Sequence, residues 1–91
     1  MNFITEKNRI YIKNNKNKIV AEIEYKEVEN GVFDIYHTFV DESLRGMGIA
    51  SLLVKEAVAN IKAKNGKVIA TCPFAKKWLE DNNIEISTKS R

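Results

Sequence analysis

Apolar residues in the middle of the sequence recur with the spacing of a helix face, and this stripe limits the fold more than any other feature. Its members are Ala50, Leu53, Val54, Ala57, Val58 and Ile61. They fall at positions i, i+3, i+4, i+7, i+8 and i+11, so one side of a helix is apolar and must pack against another layer of structure. Asn65 and Gly66 follow, and we expect Gly66 to end the helix in the left-handed conformation that glycine adopts without strain.

The residues before this helix alternate between apolar and polar, which is the period of a strand with one face in water. Residues 18–27 and 32–40 have this pattern. Residues 9–13 are instead rich in β-branched and aromatic side chains, which also favours a strand. A polar run at 14–17 and the Asn30-Gly31 pair are typical of the tight turns that join antiparallel strands. The sequence therefore predicts a three-stranded antiparallel meander ahead of the helix.

After the helix, residues 67–71 form a short apolar run with β-branched side chains, which indicates a fourth strand buried on both faces. A strand, a helix and a second strand normally make a right-handed crossover, so this strand should be parallel to segment 32–40. Pro73 suits the first position of a second, shorter helix. The expected fold is α/β (α+β), with a meander, a central amphipathic helix, a parallel fourth strand and a short C-terminal helix.

The length of 91 residues, 44% hydrophobic and 30% charged, suits one domain with a thin core, because small chains bury a smaller part of their surface. We expect a single domain over residues 1–91, with its core at 9–82 and a poorly ordered tail at 84–91. No apolar run approaches the roughly 20 residues that span a bilayer, and the N-terminus lacks the pattern of a signal peptide. These features predict a cytoplasmic protein without membrane contact.

Charge and cysteine content limit the partners further. The net charge is +3, but the lysines are scattered along the chain, which argues against nucleic-acid binding. Cys72 is the only cysteine and the chain has one histidine, so an internal disulfide is excluded and no metal site is expected. The sequence specifies no interface, and we expect a monomer or a weak homodimer.

The segment from Arg45 to Ala50 stands where the third strand gives way to the central helix. A helix start has unpaired N–H groups and the positive end of the helix dipole, which together bind anions. Gly46 and Gly48 would let a ligand approach the backbone closely, and Arg45 can pair with phosphate oxygens. Two such glycines also occur in turns that bind nothing, but their place before an apolar helix favours a pyrophosphate site. A side chain at Gly48 should block it.

The same segment, Leu44 to Ala50, resembles the acetyl-CoA signature of the GNAT superfamily of acetyltransferases. That signature has Gln or Arg, two residues, Gly, one residue, and then Gly or Ala, and its fixed positions are matched by Arg45, Gly48 and Ala50. Residues 71–74, Thr-Cys-Pro-Phe, resemble the Cys-Pro-Phe segment of a short GNAT-like group, as does the His-Thr pair at 37–38. The resemblance extends over residues 19–82.

This resemblance implies a minimal GNAT-like fold that uses acetyl-CoA as cosubstrate and transfers its acetyl group to an amine, either of a small molecule or of a protein. Pyrophosphate would lie on the helix start, and pantetheine would extend along the third strand. The residues implied to contact the coenzyme there are Phe39, Val40, Arg45, Gly46, Met47, Gly48, Ile49 and Ala50. The chain lacks the helix pair and the final strands that shape the amine pocket in larger members. A noncatalytic module that binds acetyl-CoA or CoA therefore stays open as the alternative.

Two side chains are candidates for catalysis. Cys72 lies between a strand end and a helix start, where the helix dipole favours a thiolate, and we expect it to contact the coenzyme. A lone cysteine, however, is often only a packing residue. His37 has the chemistry of a general base, but the alternation of its strand places it with Ile35 and Phe39 on the apolar face, as a core histidine. Phe74, beside Cys72, could contact the coenzyme by stacking on its adenine, or simply pack in the core.

Overall fold

The computed structural model describes residues 3–84, which form one five-stranded sheet and two α-helices. The strands are β1 (Ile4–Glu6), β2 (Arg9–Lys13), β3 (Ile19–Glu29), β4 (Val32–Val40) and β5 (Lys67–Ala70). The helices are α1 (Ile49–Ala63) and α2 (Pro73–Asp81), and a 3₁₀ turn, Glu42–Leu44, lies between β4 and α1. Within residues 3–84, neither helix is long and apolar enough to cross a membrane.

The strands lie side by side in sequence order, from β1 to β5. Neighbouring strands from β1 to β4 are antiparallel, whereas β5 is parallel to β4, as the strand-helix-strand pattern predicts. The antiparallel part has four strands rather than the predicted three, because Ile4–Glu6 pairs with β2. All three residues of β1 are exposed, so the segment lacks the alternation by which the sequence indicates the other strands.

The core lies between α1 and the sheet. Leu53, Val54, Ala57 and Ile61 are completely buried, as the helical stripe predicts, and each of the larger aliphatic side chains removed from water contributes about 1.5–3 kcal/mol. Ile84 also packs against this core, and its N–H donates to the carbonyl of Leu79 at 2.9 Å. The predicted tail therefore does not begin at 84, and the rest of it, residues 85–91, falls outside the described residues.

The C-terminal end of α1 is closed by two backbone hydrogen bonds that run back into the last turn. The N–H of Asn65 donates to the carbonyl of Lys62, and that of Gly66 donates to the carbonyl of Ile61, both at 2.9 Å. Asn65, not Gly66, adopts the left-handed conformation, with φ of 63°, so the prediction for Gly66 is wrong. Asparagine tolerates this conformation because its short polar side chain can bond locally.

Gly66 is required for a different reason: there is no space at this position for any side chain. A Cβ atom at this position would lie 2.8 Å from Cγ2 of Ile61 and 2.9 Å from a ring carbon of Phe33. Both distances are shorter than real contacts, and both neighbours are buried. The close packing of α1 on β4 therefore depends on the absence of a side chain here.

We expect Gly66→Ala to lower the free energy of unfolding by about 1–3 kcal/mol, because the added methyl group overpacks the core. Denaturant unfolding of the purified chain measures this change. Asn65→Gly is the matched control, and its unfolding should stay close to that of the parent because glycine accepts a positive φ without strain. Equal stability of Gly66→Ala and the parent chain would contradict the steric explanation.

β4 contains a bulge at Tyr36. Ile35 lies opposite Tyr25 and His37 lies opposite Glu24, so two steps along β4 match one step along β3. One extra residue reverses the face on which every later side chain lies. Ile35 is therefore buried in the core, whereas His37 lies on the sheet face that is turned away from α1. The predicted sharing of one apolar face by His37, Phe39 and Ile35 is wrong for this reason.

β4 and β5 separate beyond the bulge. Their parallel pairing ends where Ile35 faces Ala70, and the carbonyl of Ile35 then accepts the N–H groups of both Thr71 and Cys72 at 3.1 Å. The rest of β4, Tyr36–Val40, is paired only with β3 among the described residues. We call the free side of this stretch the open edge of β4, and it faces the start of α2.

Candidate functional site

The chain passes from the end of β4 to α1 through a short, tightly held connection. The carboxylate of Asp41 accepts the N–H of Ser43 at 3.0 Å and its hydroxyl at 2.6 Å, which fixes the 3₁₀ turn. These hydrogen bonds hold the pKa of Asp41 below its usual value. The N–H of Asp41 in turn donates to the carbonyl of Val20 at 2.8 Å, so the connection is attached to the sheet.

The helix start is shaped by two glycines in the left-handed region. Gly46 has φ of 84° and Gly48, which caps α1, has φ of 72°. A Cβ atom at either position would meet no protein atom within 4 Å, so glycine is needed here for the backbone conformation and not for packing inside the protein. The space beside both glycines is open to a ligand.

Several backbone N–H groups at this helix start have no hydrogen-bond partner within residues 3–84: those of Gly46, Gly48, Ile49, Ala50 and Ser51. The cap residue Gly48 makes no side-chain hydrogen bond, and no acidic residue occupies the first turn of α1. Unpaired N–H groups with the positive end of a 15-residue helix attract anions. We call residues 45–51 the cradle.

The cradle forms one wall of a surface cleft of about 420 Å³. Residues of the cradle, the end of β4 and the start of α2 line it: Val40, Leu44, Arg45, Gly46, Gly48, Ile49, Ala50, Ser51 and Phe74. Seven of the predicted coenzyme contacts are thus brought together. Leu44 and Ser51 flank the motif and were missed, although Ser51 lies in the first turn of α1, where an unpaired N–H is expected in any helix.

Three predicted coenzyme contacts lie outside this lining. The side chain of Met47 is 58% exposed. The bulge in β4 turns Phe39 to the other face of the sheet, where it is 39% exposed. Cys72 lies beside the middle of the open edge, at Thr38. A second cleft, of about 400 Å³, adjoins the first through Ser51 and Phe74, and it includes Lys77 and Trp78 of α2.

Cys72 lies where the open edge of β4 meets the start of α2. It caps α2, is half-buried, and its Sγ lies 3.5 Å from the hydroxyl oxygen of Thr38. Thr38 is opposite Ile23, a buried core residue, so this contact is on the α1 side of the sheet. Thr38 is the polar neighbour of Cys72, and His37 is not.

A buried carboxylate holds the segment that carries Cys72. Asp34, only 4% exposed, accepts the N–H of Thr71 at 2.8 Å and the hydroxyl of Thr71 at 2.9 Å. Sequence alternation places Asp34 on a polar face, but in the structure Asp34 is buried, next to β5 and opposite Ile69. The two bonds join β4 to the chain at the point where the strands separate, so Asp34 fixes the position of the neighbouring Cys72.

His37 lies on the opposite face of the sheet from Cys72. Its Nε2 is 3.2 Å from Oε2 of Glu22 on β3, and its side chain is 42% exposed. The two predicted catalytic residues are therefore not in contact, because the bulge directs them to different faces. They still lie near the same stretch of β4, since His37 precedes the Thr38 that touches Cys72.

Comparison with known proteins decides the family. Residues 9–88 match the family model described as GCN5-related N-acetyl-transferase, which covers most of the chain. The chain belongs to this family. GCN5-related N-acetyltransferases transfer acetyl groups from acetyl-CoA, which agrees with the resemblance of the cradle sequence and with the fold.

Individual members show how far the likeness extends. Protein NATD1 of human and of chicken is 32% identical to this chain over 60 residues, which is 66% of this chain and 53% and 54% of those proteins. The chain thus spans about half the length of the curated relatives it matches. A GCN5-like protein from Staphylococcus aureus, solved by NMR, is 32% identical, with a TM-score of 0.77 over 99% of this chain and 93% of its own.

A more distant solved structure of known ligand content shares only the fold. The N-acetylglutamate synthase of Neisseria gonorrhoeae, whose structure is a complex with coenzyme A and N-acetylglutamate, is 10% identical. Its TM-score is 0.66 over 82% of this chain and 18% of its own length. The same arrangement of sheet and helices thus occurs within a much larger protein.

Proposed function

We propose that this chain is an acetyl-CoA-dependent N-acetyltransferase that transfers an acetyl group to an amine, as one cytoplasmic domain. The observation that carries this proposal is the cradle, whose unpaired N–H groups open into the 420 Å³ cleft. A pyrophosphate on these groups would complete the hydrogen bonds of the first turn of α1 and meet the positive end of its dipole. Arg45, at the entrance, would pair with the phosphate oxygens.

The open edge of β4 supports a position for the pantetheine arm. An extended ligand with amide groups can add to a free strand edge through main-chain hydrogen bonds. From the cradle, this edge runs past Val40 and Phe39 toward Thr38 and Cys72. Phe39 would take part through its backbone, because its side chain lies on the far face. The thioester would then lie near the thiol of Cys72.

In the proposed reaction, the lone pair of the acceptor nitrogen attacks the carbonyl carbon of the thioester and a carbon–nitrogen bond forms. The carbon–sulfur bond breaks, the amine loses a proton to a base, and the coenzyme leaves as a thiolate that takes up a proton. Cys72 can serve either as the donor of that proton or as a nucleophile that carries the acetyl group before the amine receives it. Both roles need the thiol at the open edge.

Titration calorimetry with coenzyme A at low and high salt tests the binding step, and an acetylation assay on small-molecule and peptide amines tests transfer. We expect saturable one-to-one binding at both salt concentrations, followed by turnover of at least one amine class. Binding without turnover of any amine would favour the alternative, a noncatalytic acetyl-CoA-binding module. This alternative stays in the test because the cradle and its cleft account for binding of the coenzyme but not for binding of an amine.

Cys72→Ser separates the two roles of the thiol. If Cys72 carries the acetyl group, brief incubation of the parent chain with acetyl-CoA adds the mass of one acetyl group, and the variant does not gain it. If Cys72 only donates a proton, neither protein gains mass, and turnover of the variant falls about 100-fold, at the low end of the effect of an acid or base. The coenzyme affinity should stay unchanged in both cases. Unchanged turnover would reduce Cys72 to a packing residue.

A further inference from the structure

Three polar side chains form a connected row on the sheet face turned away from α1. Arg9 of β2 donates from Nε at 3.0 Å and from Nη2 at 2.7 Å, both to Oε1 of Glu22 on β3. The second oxygen of that carboxylate, Oε2, lies 3.2 Å from Nε2 of His37 on β4. Both oxygens of Glu22 are therefore engaged, one by the guanidinium and one by the imidazole.

The fold holds this row in place. The Glu22 side chain is only 19% exposed, and the carboxylate receives Arg9 side-on through two bonds, which restrict its rotation. Its presence raises the pKa of Arg9. The guanidinium of Arg9 also lies over the ring of Tyr11, 4.3 Å from its centroid. His37 reaches this face only because of the bulge at Tyr36.

The contact with Glu22 determines which nitrogen of His37 carries the proton. An ionised carboxylate only accepts hydrogen bonds, so neutral His37 must donate from Nε2, and Nδ1 is left with a free lone pair. A histidine with one nitrogen bonded to a carboxylate and the other free is arranged to accept a proton. The positive charge that results would be adjacent to Glu22.

Building on the proposed function, we propose that Glu22 is a positioning residue that holds His37 with its proton on Nε2, and that Nδ1 takes the proton from the acceptor amine. Arg9 orients Glu22. His37 precedes Thr38, whose hydroxyl is the neighbour of Cys72, so the base lies one residue from the proposed position of the thioester. The amine would reach the open edge of β4 from the face that carries His37.

The neighbouring Glu24 provides a matched control. Its carboxylate lies within 4.8 Å of the reactive atoms of Glu22 and His37, but within residues 3–84 it makes no hydrogen bond to either. Glu24→Gln removes the same charge as Glu22→Gln from almost the same place. A difference between the two variants therefore reports the hydrogen bond and not the local potential.

The tautomer of His37 can be measured directly, because it is the only histidine of the chain. Long-range proton–nitrogen NMR spectra of the parent at high pH should show the proton on Nε2. In Glu22→Gln the one amide oxygen stays with Arg9 and the NH2 group faces His37, so the proton should shift to Nδ1. Glu24→Gln should keep the parental tautomer. A parental proton on Nδ1, or an unchanged tautomer in Glu22→Gln, overturns the positioning role.

Transfer rates test whether the positioning serves catalysis. Glu22→Gln should lower the acetyl-transfer rate about 100-fold, the typical loss when a general base is disabled, with unchanged affinity for coenzyme A. Glu24→Gln should transfer within about 3-fold of the parent, well below the loss of a general base. An undiminished rate in Glu22→Gln overturns the base role. If the parent shows the expected tautomer but acetylates no amine, the proposed function and the base role fall, and the positioning of His37 by Glu22 stands.

Discussion

Gly48→Glu should bind coenzyme A at least about 100-fold more weakly than the parent chain, a loss of about 2.7 kcal/mol. Gly48 has φ of 72°, and a residue with a side chain pays roughly 1–2 kcal/mol to adopt the left-handed conformation. A relaxed backbone would redirect the N–H groups of the cradle. The new carboxylate would also stand at the helix start, where it competes with a diphosphate for the same N–H groups and repels it.

Gly31→Glu is the matched control for this experiment. Gly31 also has a positive φ, 80°, and open space around it, but it lies in the turn between β3 and β4, at the opposite end of β4 from the cradle. Both variants should lose similar stability, and only Gly48→Glu should lose the coenzyme. Calorimetric titration measures the affinities. Equal affinities in the two variants would show that the cradle is not the diphosphate site.

Asp34→Ala should lower the free energy of unfolding by about 2–4 kcal/mol. Each hydrogen bond to a charged group contributes roughly 1.5–3 kcal/mol, and the variant loses two such bonds while the N–H of Thr71 keeps the carbonyl of Ile35 as an acceptor. The stability of a typical domain is only about 5–15 kcal/mol, so this is a large part of the total. The change follows from a carboxylate that is 4% exposed and bonded twice to Thr71. Denaturant unfolding measures it.

Two controls define the cause of that loss. Asp34→Asn keeps an oxygen for the Thr71 N–H, while its NH2 group can donate to the Thr71 hydroxyl, so it should lose less than Asp34→Ala. Asp81→Ala removes an exposed carboxylate, whose ion pair with Lys77 at 3.1 Å is open to solvent, and should change stability by less than about 1 kcal/mol. If Asp34→Ala unfolds like Asp81→Ala, Asp34 does not hold the strands together.

Local patterns in the sequence were sufficient to predict α1, β2 to β5 and the position of the cradle. Each depends on neighbouring residues: the stripe that ends at Ile61, the alternation along β3, and two glycines ahead of a helix. β1 was missed because three exposed residues have no period to detect. Its pairing with β2 is a contact between segments, and a single-segment pattern cannot show it.

The wrong predictions arise from contacts between distant residues. The face on which His37 lies depends on the bulge at Tyr36, which is a property of the pairing between β3 and β4 and has no signature within β4 itself. In the same way, Asn65 and Gly66 both suit a helix end, and only the approach of the Phe33 ring shows why the second must be glycine. The alternation within β4 predicts that Asp34 is exposed, and its burial depends on the neighbouring β5.

The separation of β4 and β5 also determines how long the open edge of β4 is. The strands part after Ile35, which leaves five residues, Tyr36–Val40, and at roughly 3.3 Å per residue their free side is about 16 Å long. Cys72 touches Thr38, which is two residues from Val40, so a slender arm anchored at the cradle reaches the thiol after only about 7 Å. A longer arm can pair with the edge beyond that point. The residue at which the two strands diverge would thus set the longest arm that the free edge can pair with, and the position of the thiol the shortest arm that reaches it.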